Sequence, residues 1–227
     1  RPLFQKQNVG IPRNKNAAYR ATTGDLVTYL DGDDRFHPTK VETDLTALRD
    51  NPEADIACAN VAYIDAHGKK VGAWSDDKDR VPTGNVAKEV FARNFPKNTI
   101  FRNETVRRER LASVGFMDPS FAMYHDWELR IRLSRIAKLA YTDEITADYR
   151  LNPEGISSSQ ASRHFDEVSR VYQKHRSLLE SLDPRVRFEI NKHLRPWIGK
   201  FAWRAYHSAM SRDDRSSAWA YFLDGME

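Results

Sequence analysis

The most restrictive feature of this chain is a short, mostly apolar run that leads directly into three carboxylates, at residues 25–34 (Asp-Leu-Val-Thr-Tyr-Leu-Asp-Gly-Asp-Asp). If the run is a strand, Asp31 and Asp33 project from the same face, because side chains alternate along a strand. Neighbouring acids repel each other, and a hydrated Mg²⁺ or Mn²⁺ that carries a phosphate is the usual partner that neutralises them. Open α/β sheets bind ligands at this position, beyond the carboxyl ends of their strands.

Three interpretations of this acidic segment are open from its own residues. It can be a solvated turn before a helix that Pro38 opens. It can be a phosphatase site with Asp31 as nucleophile and Asp33 as acid. It can also be a metal site, although not an EF-hand, because Arg35 and Phe36 stand where that loop needs a ligand and a glycine.

The residues upstream of the acidic segment narrow the choice. They contain Asn-Val-Gly at 8–10, Lys-Asn at 15–16 and Gly-Asp at 24–25. Pro12 favours the start of a helix and Gly24 its end, which predicts a loop, a helix and a strand. This order resembles the donor-binding half of family 2 glycosyltransferases, where Asn-x-Gly, Arg-Asn, Gly-Glu and Asp-x-Asp-Asp follow one another at the same spacings. A lysine here replaces the usual arginine and keeps the charge.

A second block resembles the acceptor half of the same family. Val-Gly-Phe-Met-Asp at 114–118 is followed by His-Asp-Trp-Glu-Leu-Arg at 125–130, then by Tyr-Arg at 149–150 and Ile-Ser at 156–157. The family has a Gly-Phe-Asp stretch before a Glu-Asp or His-Asp pair, which opens a helix with Leu-x-x-Arg. The resemblance implies that Asp126 is the catalytic base. From the residues alone, Asp126 can also be a first-turn acid that pairs with Arg130 at i+4.

The family resemblance implies an enzyme, a glycosyltransferase that is inverting and metal-dependent. It would move a sugar from a nucleotide-sugar donor to the hydroxyl of a glycan or lipid-linked acceptor, and a UDP-sugar is the donor that we expect first. Asp33 and Asp31 would hold the divalent cation, Mn²⁺ or Mg²⁺. Lys15, Asn16 and Arg150, together with Asp31, would contact the donor, and for each of these the alternative is a capping, surface or salt-bridge role. Trp127 can stack on an acceptor sugar, but its spacing to Ile131 favours the core.

Two departures from the family pattern affect these expectations. The chain starts at Arg1, without the segments that carry Pro-x-Tyr-Asn and Val-Asp-Asp-Gly-Ser in the family, so we expect an N-terminally truncated domain that lacks its first two βα units and binds a donor poorly by itself. Asn152 stands where many relatives have a histidine that completes the metal shell. His164 is an alternative third ligand.

The predicted fold class is α/β, an incomplete GT-A-like (Rossmann-like) mixed sheet flanked by helices, with a helical C-terminal extension. The catalytic domain is predicted for residues 1–158 and the extension for 159–227. Element predictions include a helix over 38–48 with Val41, Leu45 and Leu48 on one face, a buried strand around Cys58 and a strand at 98–102. Further helices are predicted at 104–114, 160–182, 184–195, 197–211 and 214–224.

Composition excludes several classes of protein. The chain has 36 basic and 32 acidic residues, and a net charge of +4 is too small to indicate a nucleic-acid partner. Its single cysteine cannot form a disulfide within the chain, and no apolar stretch approaches the roughly 18 residues of a membrane span. We expect a cytoplasmic protein. Aromatic and basic residues alternate over 197–207, which leaves open a peripheral contact with lipid headgroups at the inner face of the plasma membrane.

Two rival functions remain at this stage. A domain that keeps the fold without the nucleoside-binding segments can be a non-catalytic module that binds a glycan or a protein. An Asp31-dependent phosphatase would require a later lysine and further acids around Asp31. The donor sugar, the acceptor and the oligomeric state have no readable signal in the sequence.

Overall fold

The computed structural model describes residues 2–153, 155 and 161–224. Its contacts divide the chain into two units, one formed by Arg1–Ser120 with His125–Asn152 and the other by Phe121–Tyr124 with Pro153–Glu227. The predicted domain boundary at 158/159 and the Ile-Ser pair at 156–157 lie outside the described residues. In chain order the first unit contains α1 (Ile11–Ala21), β1 (Leu26–Val27), β2 (Arg35–Phe36), α2 (Lys40–Asp50), β3 (Ile56–Ile64), β4 (Lys70–Ala73), α3 (Ala87–Ala92), a 3₁₀ turn (Pro96–Asn98), β5 (Thr105–Arg107), α4 (Arg108–Ser113), α5 (His125–Leu133) and β6 (Leu139–Arg150).

The first unit is built on a mixed sheet in the order β1-β5-β3-β6-β2, and β4 pairs with β3 off this path. The two long strands β3 and β6 run parallel, whereas the other pairs are antiparallel. The predicted strand around Cys58 is confirmed as β3, which is buried along nearly its whole length. The turn after it closes at Gly68, whose φ of +84° suits glycine.

Helix α2 buries a different face from the one its apolar residues indicated. Val41 and Leu45 are 60% and 47% exposed, while Lys40 and Asp44 are almost fully buried beside Leu48. The Lys40 Nζ lies 2.6 Å from Asp44 Oδ2, which also accepts a hydrogen bond from the Thr105 hydroxyl. A buried charge is tolerated only when it is paired and hydrogen-bonded, and the contacts of Asp44 Oδ2 supply both conditions, while its Oδ1 is buried without a hydrogen-bond partner.

The region before α4 also departs from the sequence-based expectation. The strand predicted at 98–102 is absent from the described residues there, because the 3₁₀ turn places Lys97 and Asn98 in the left-handed region, with φ values of 55° and 52°. The strand is β5 instead, at the start of the segment predicted as the helix 104–114, and α4 begins only at Arg108. Asn103 is also left-handed, with φ 52°, so the chain turns just before it enters β5.

The second unit is helical, as predicted, and comprises α6 (Ala161–Lys174), α7 (Arg176–Ser181), α8 (Pro184–Met210) and α9 (Arg215–Asp224). The single helix predicted over 160–182 is divided into α6 and α7. Asp183 caps α8 by accepting a hydrogen bond from the Arg185 amide at 2.8 Å, which confirms the predicted start. The predicted break between 195 and 197 is wrong, because α8 continues through Pro196. A buried face that includes Leu194 and Ala205 packs along α8 on both sides of this proline.

The aromatic residues of α8 divide between two environments. Within the second unit, Phe201 stacks on His164 at 5.3 Å and Trp197 lies edge-on to Tyr124 at 5.7 Å. Trp203 is 58% exposed. Across the described ranges, no helix has the length and apolar character needed to cross a bilayer.

Candidate active site

The acidic segment forms a tight loop between β1 and β2 in the first unit. The Asp34 amide donates to the carbonyl of Asp31 at 3.1 Å, which closes the turn. Arg150, at the end of β6, also holds this loop. The Arg150 backbone amide donates to Asp34 Oδ1 at 2.9 Å, and the Arg150 side-chain Nε donates to the backbone carbonyl of Asp33 at 3.0 Å. The loop therefore has a defined shape although only two residues on each side are in strands.

Asp31 is held by the helix that precedes its strand. Lys15, on α1, places its Nζ 2.8 Å from Asp31 Oδ1, and the same ammonium lies 3.9 Å from the centre of the Tyr29 ring. The Asp31 side chain is 44% exposed, so this ion pair is open to water and contributes little to stability by itself. Its effect is positional, because it fixes one carboxylate oxygen and leaves the rest of the group accessible.

The carboxylates of the loop suit a hard divalent cation. Burial raises the pKa of Asp34, the Arg150 amide lowers it, and the nearby charges of Asp33 and Asp31 raise it further. The charges of Asp31 and Asp33 thus disfavour the ionised form of Asp34, and this is the electrostatic condition that a bound cation relieves. In the part of the chain that the structure describes, no group of three or more His, Cys, Asp or Glu side chains is placed to hold a metal ion. A Mg²⁺-type site fits this set, since such ions take one or two carboxylates and complete their shell with water and substrate phosphate.

Asp126 lies in the first turn of α5 with its side chain 43% exposed. The pair with Arg130 that the i+4 spacing indicated is formed, with Arg130 Nη1 2.7 Å from Asp126 Oδ2. Burial acts to raise the pKa of Asp126, but Arg130 first, then His125, Arg102 and Arg93, outweigh it and hold that pKa well below its usual range. The carboxylate is therefore ionised throughout the neutral range.

A buried network fixes the guanidinium of Arg130. Glu104 accepts two hydrogen bonds from it, from Nε at 2.9 Å and from Nη2 at 2.8 Å, and the Tyr29 hydroxyl lies 2.9 Å from Nη2. The Arg130 and Glu104 side chains are only 2% and 7% exposed. Because Nε and Nη2 of Arg130 are bonded to Glu104 in this fork geometry, Nη1 is the nitrogen that remains, and it faces Asp126.

These contacts join the two sequence blocks into one site. Asp31 contacts Lys15, Lys15 lies over the Tyr29 ring, the Tyr29 hydroxyl contacts Arg130, and Arg130 contacts Asp126. Each contact falls within the first unit. The metal-suited loop and the carboxylate of α5 are thus linked by an unbroken series of side-chain contacts.

The other residues that the sequence singled out have mainly structural contacts. Asn16 is 3% exposed, and its amide bonds the Met117 backbone twice, at 2.8 and 3.0 Å. The Arg150 Nη1 donates to the carbonyls of Asp65 and Ala66, at 2.9 and 3.0 Å. The ligand-binding roles predicted for Asn16 and Arg150 stay predictions.

Two further candidates are packed rather than open. Trp127 is fully buried and its Nε1 donates to the carbonyl of Val90 at 2.9 Å, so its side chain belongs to the core. His164, the alternative third ligand, belongs to the second unit, where its Nδ1 lies 2.8 Å from the Tyr124 hydroxyl.

Arg102 belongs to this site, and sequence reasoning did not find it. Its guanidinium lies 4.1 Å from the centre of the Tyr149 ring. Burial is the largest influence on the pKa values of Asp34 and Asp126, and Arg102 is among the positive charges that act against it on both. Glu104, the partner of Arg130, was also missed as a site residue. Neither residue lies in a recognisable motif, so no signal in the single sequence identifies them.

Comparisons with known proteins bear on the family and the fold of the chain. The model of glycosyl transferase family 2 matches residues 1–126, which is more than half of the 227 residues. Among solved structures, the chain is similar to the crystal structure of S. aureus TarS 1–349, with a TM-score of 0.50 and 11% identity, over 96% of this chain and 71% of that chain. Together these matches confirm the predicted GT-A-like α/β fold. No curated protein sequence matches the chain.

Proposed function

This chain belongs to glycosyl transferase family 2 and is a glycosyltransferase, and we propose that it transfers a sugar with inversion, in a metal-dependent reaction, from a UDP-sugar to the hydroxyl of a glycan or lipid-linked acceptor. One observation carries the proposal: the contact series from Asp31 through Lys15, Tyr29 and Arg130 to Asp126. The series supports the proposal because it links an acidic loop that suits a cation to an ionised carboxylate, and a metal-dependent inverting transfer uses these two groups.

Asp126 is the proposed base. An inverting transfer needs one carboxylate to take the proton of the acceptor hydroxyl while the oxygen attacks the anomeric carbon from the face opposite the leaving nucleoside diphosphate. Arg130 keeps Asp126 ionised and fixes one of its oxygens at 2.7 Å. A carboxylate with a lowered pKa is a weak base, so we expect the proton to move late, after bond formation has made the hydroxyl acidic.

The acidic loop is the proposed cation site, with Asp33 and Asp31 as the protein ligands. Asp33 is exposed, and its backbone carbonyl is held by Arg150 at 3.0 Å, so its carboxylate is presented on a fixed loop. A divalent cation bound there would stabilise the negative charge that develops on the departing diphosphate, and no acid would then be needed to protonate it.

The donor contacts proposed for Lys15, Asn16 and Arg150 differ in what the geometry offers. Lys15 is the best placed, because its ammonium lies 2.8 Å from the carboxylate of Asp31. Asn16 and Arg150 bond backbone groups, and we propose that they hold α1 and the acidic loop in the shape that receives the donor. Asn16 and Arg150 would thus affect donor binding by positioning α1 and the acidic loop.

A polar cavity of about 610 Å³ is the proposed acceptor groove. It is lined by residues of the segments 79–89 and 94–98, which include Asp79, Asn85 and Asn98. Helix α3, which borders this cavity, also contacts α5 through the bond from Trp127 to Val90. Amide and carboxylate groups match the hydroxyls of a sugar. If the acceptor is lipid-linked, the exposed Trp203 would serve a peripheral contact with lipid headgroups.

The test is a donor screen on the full-length protein expressed from its gene, with a panel of UDP-sugars and other nucleotide sugars, in Mn²⁺, Mg²⁺ or excess EDTA. We expect nucleoside diphosphate release with one donor class, its loss in EDTA, and an acceptor glycoside whose anomeric configuration, read by NMR coupling constants, is opposite to that of the donor sugar. Retention of configuration would exclude a direct displacement by the acceptor hydroxyl with Asp126 as its base. Full activity in EDTA would reject the cation.

The same screen separates transfer from the two rival functions. A non-catalytic module would bind a glycan or protein with no nucleotide release under any condition. A phosphatase would release inorganic phosphate from simple phosphate esters. The ion-pair partner of Asp31 is Lys15, which precedes it, whereas the phosphatase hypothesis required a later lysine.

A further inference from the structure

Arg102 occupies a distinctive position among the cations of the active site. It leads into the left-handed turn at Asn103, and its guanidinium packs 4.1 Å from the centre of the Tyr149 ring. Tyr149 is paired in parallel register with Tyr63, and the two rings meet edge to face at 6.0 Å. The guanidinium thus rests on an aromatic surface at the carboxyl ends of β3 and β6, where ligands of α/β sheets bind.

The other cations that contact the site carboxylates or their loop already have partners. Lys15 is paired with Asp31, Arg130 with Glu104 and Asp126, and Arg150 with three backbone carbonyls. For Arg102, the described residues provide neither an ion pair nor a hydrogen bond, and its buried Nε has no hydrogen-bond partner. A guanidinium carries five N–H donors in a planar fork, and with Nε buried Arg102 keeps the four N–H groups of its two terminal nitrogens for a ligand.

We propose that Arg102 is the anion-binding residue of this site and that it receives a phosphate group of a substrate, between the acidic loop and Asp126. The inference rests on the proposed function, which supplies two sources of phosphate: the diphosphate of the donor and a phosphate carried by the acceptor. The fork of a guanidinium matches two phosphate oxygens. Because the Arg102 guanidinium is already stacked on Tyr149, its side chain loses less conformational freedom when it binds a phosphate.

Charge balance gives a reason for this placement. The acidic loop and Asp126 together place several carboxylates around the site, and these would repel a phosphate that approached without a cation. Tyr149, on which the Arg102 guanidinium rests, is followed directly by Arg150, whose amide donates to Asp34 Oδ1 at 2.9 Å, so Arg102 packs beside the segment that holds the acidic loop. Burial acts to raise the pKa of Asp126, and Arg102 is also among the positive charges that hold that pKa below its usual range. A phosphate at Arg102 would be close to a cation on the loop and to the acceptor hydroxyl at Asp126.

The test measures binding of inorganic pyrophosphate to the full chain by calorimetry in Mg²⁺, for wild type, Arg102→Gln and the surface control Arg49→Gln, whose side chain is 74% exposed. We expect Arg102→Gln to weaken the affinity about ten-fold or more, because a bidentate charge-assisted contact is lost, and Arg49→Gln to leave it unchanged. Competition with UDP assigns the source. Displacement of pyrophosphate by UDP indicates the donor diphosphate, and simultaneous binding indicates an acceptor phosphate.

A second measurement does not depend on whether the variant folds. Folded wild-type protein is treated with phenylglyoxal, with and without pyrophosphate, and labelled arginines are mapped by mass spectrometry. Protection of Arg102 is expected, and equal labelling in both samples, including none in either, would overturn the proposal. So would a folded Arg102→Gln with wild-type affinity. Neither measurement requires sugar transfer, so a failed donor screen would remove the proposed function without removing the anion site.

Discussion

The site contains two sets of carboxylates that the chain treats in opposite ways. Asp126 is clamped by an arginine that is itself held by the buried Glu104, whereas in the 31–34 loop Asp31 has one ion pair, with Lys15, and Asp34 accepts a hydrogen bond from the Arg150 amide. A fixed, ionised group suits a base that must meet a hydroxyl at one distance. A loop with unresolved repulsion suits a ligand that enters and leaves with each turnover. The side chains of Asp126 and Asp31 are almost equally exposed, at 43% and 44%, so the difference lies in how each is held: Asp126 by a buried guanidinium that is itself fixed by Glu104, and Asp31 by a single lysine.

Asp126→Asn gives the largest expected effect on this comparison. The amide keeps the size of the side chain and its contact with Arg130 but cannot take a proton, so we expect kcat to fall about a thousand-fold. Binding of the donor nucleotide, measured by calorimetry, should stay close to wild type. The exposed control Asp50→Asn should change neither quantity. Transfer by Asp126→Asn at a near wild-type rate would remove Asp126 as the base.

Asp33→Asn tests the other side of the comparison. We expect transfer to fall about a hundred-fold, because stabilisation of the leaving diphosphate is lost, and the response to added Mn²⁺ or Mg²⁺ to disappear. Donor binding in the presence of metal should weaken, in contrast to Asp126→Asn. Rates are measured across a metal titration. A variant that keeps the wild-type metal dependence would place the cation elsewhere.

Arg130→Met tests whether the clamp is electrostatic. Removing one partner of a buried pair leaves Glu104 uncompensated, so we expect the free energy of unfolding to drop by about 3 kcal/mol at pH 7, measured in urea. In the wild type the pKa of Asp126 lies below its unfolded value of about 3.9, so its stabilisation is present above about pH 4 and is lost as the pH falls through the folded pKa. The stability difference between wild type and variant should therefore shrink below about pH 4. An equal difference at pH 7 and pH 3 would contradict the electrostatic account.

Asn16→Ala gives the smallest expected effect and tests the hydrogen bonds that connect α1, in the first motif block, to Met117 in the second. The variant loses two buried hydrogen bonds to Met117, each worth about 1 kcal/mol, so we expect the free energy of unfolding to fall by about 2 kcal/mol. The exposed control Asn51→Ala should lose less. With the donor saturating, kcat should change little, since Asn16 touches no reacting atom. A large loss of donor affinity in a variant of wild-type stability would instead support a direct donor contact.

Local elements followed from the sequence where local signals were complete. Helix α1 was predicted, although it ends with Thr22 as its cap rather than at Gly24, and the strand around Cys58 was found as β3. The long strand β6 was missed, because its residues Leu139–Arg150 alternate weakly between polar and apolar. Its identity as a strand comes from parallel pairing with β3, and such pairing is a property of distant segments.

The candidate site divides in the same way. The order and spacing of the two motif blocks indicated the acidic loop and Asp126, because these residues are chemically unusual where they stand. Glu104 and Arg102 belong to no recognisable motif and are not chemically unusual at their positions in the sequence. Each gains its role from neighbours that are remote in the chain, namely Arg130 for the first and Tyr149 for the second.

The sequence by itself determined which carboxylates are the candidates for the chemistry, the family to which the chain belongs and the α/β class of its fold, since motif order, residue type and periodicity are written along the chain. Only the tertiary structure decided that Lys40 and Asp44 are buried while Val41 is not, that Arg130 clamps Asp126, and that Arg102 packs on the ring of Tyr149. The physical reason is that burial and pairing energies depend on which distant groups meet. A charged side chain is stable in the interior only when its partner arrives there as well.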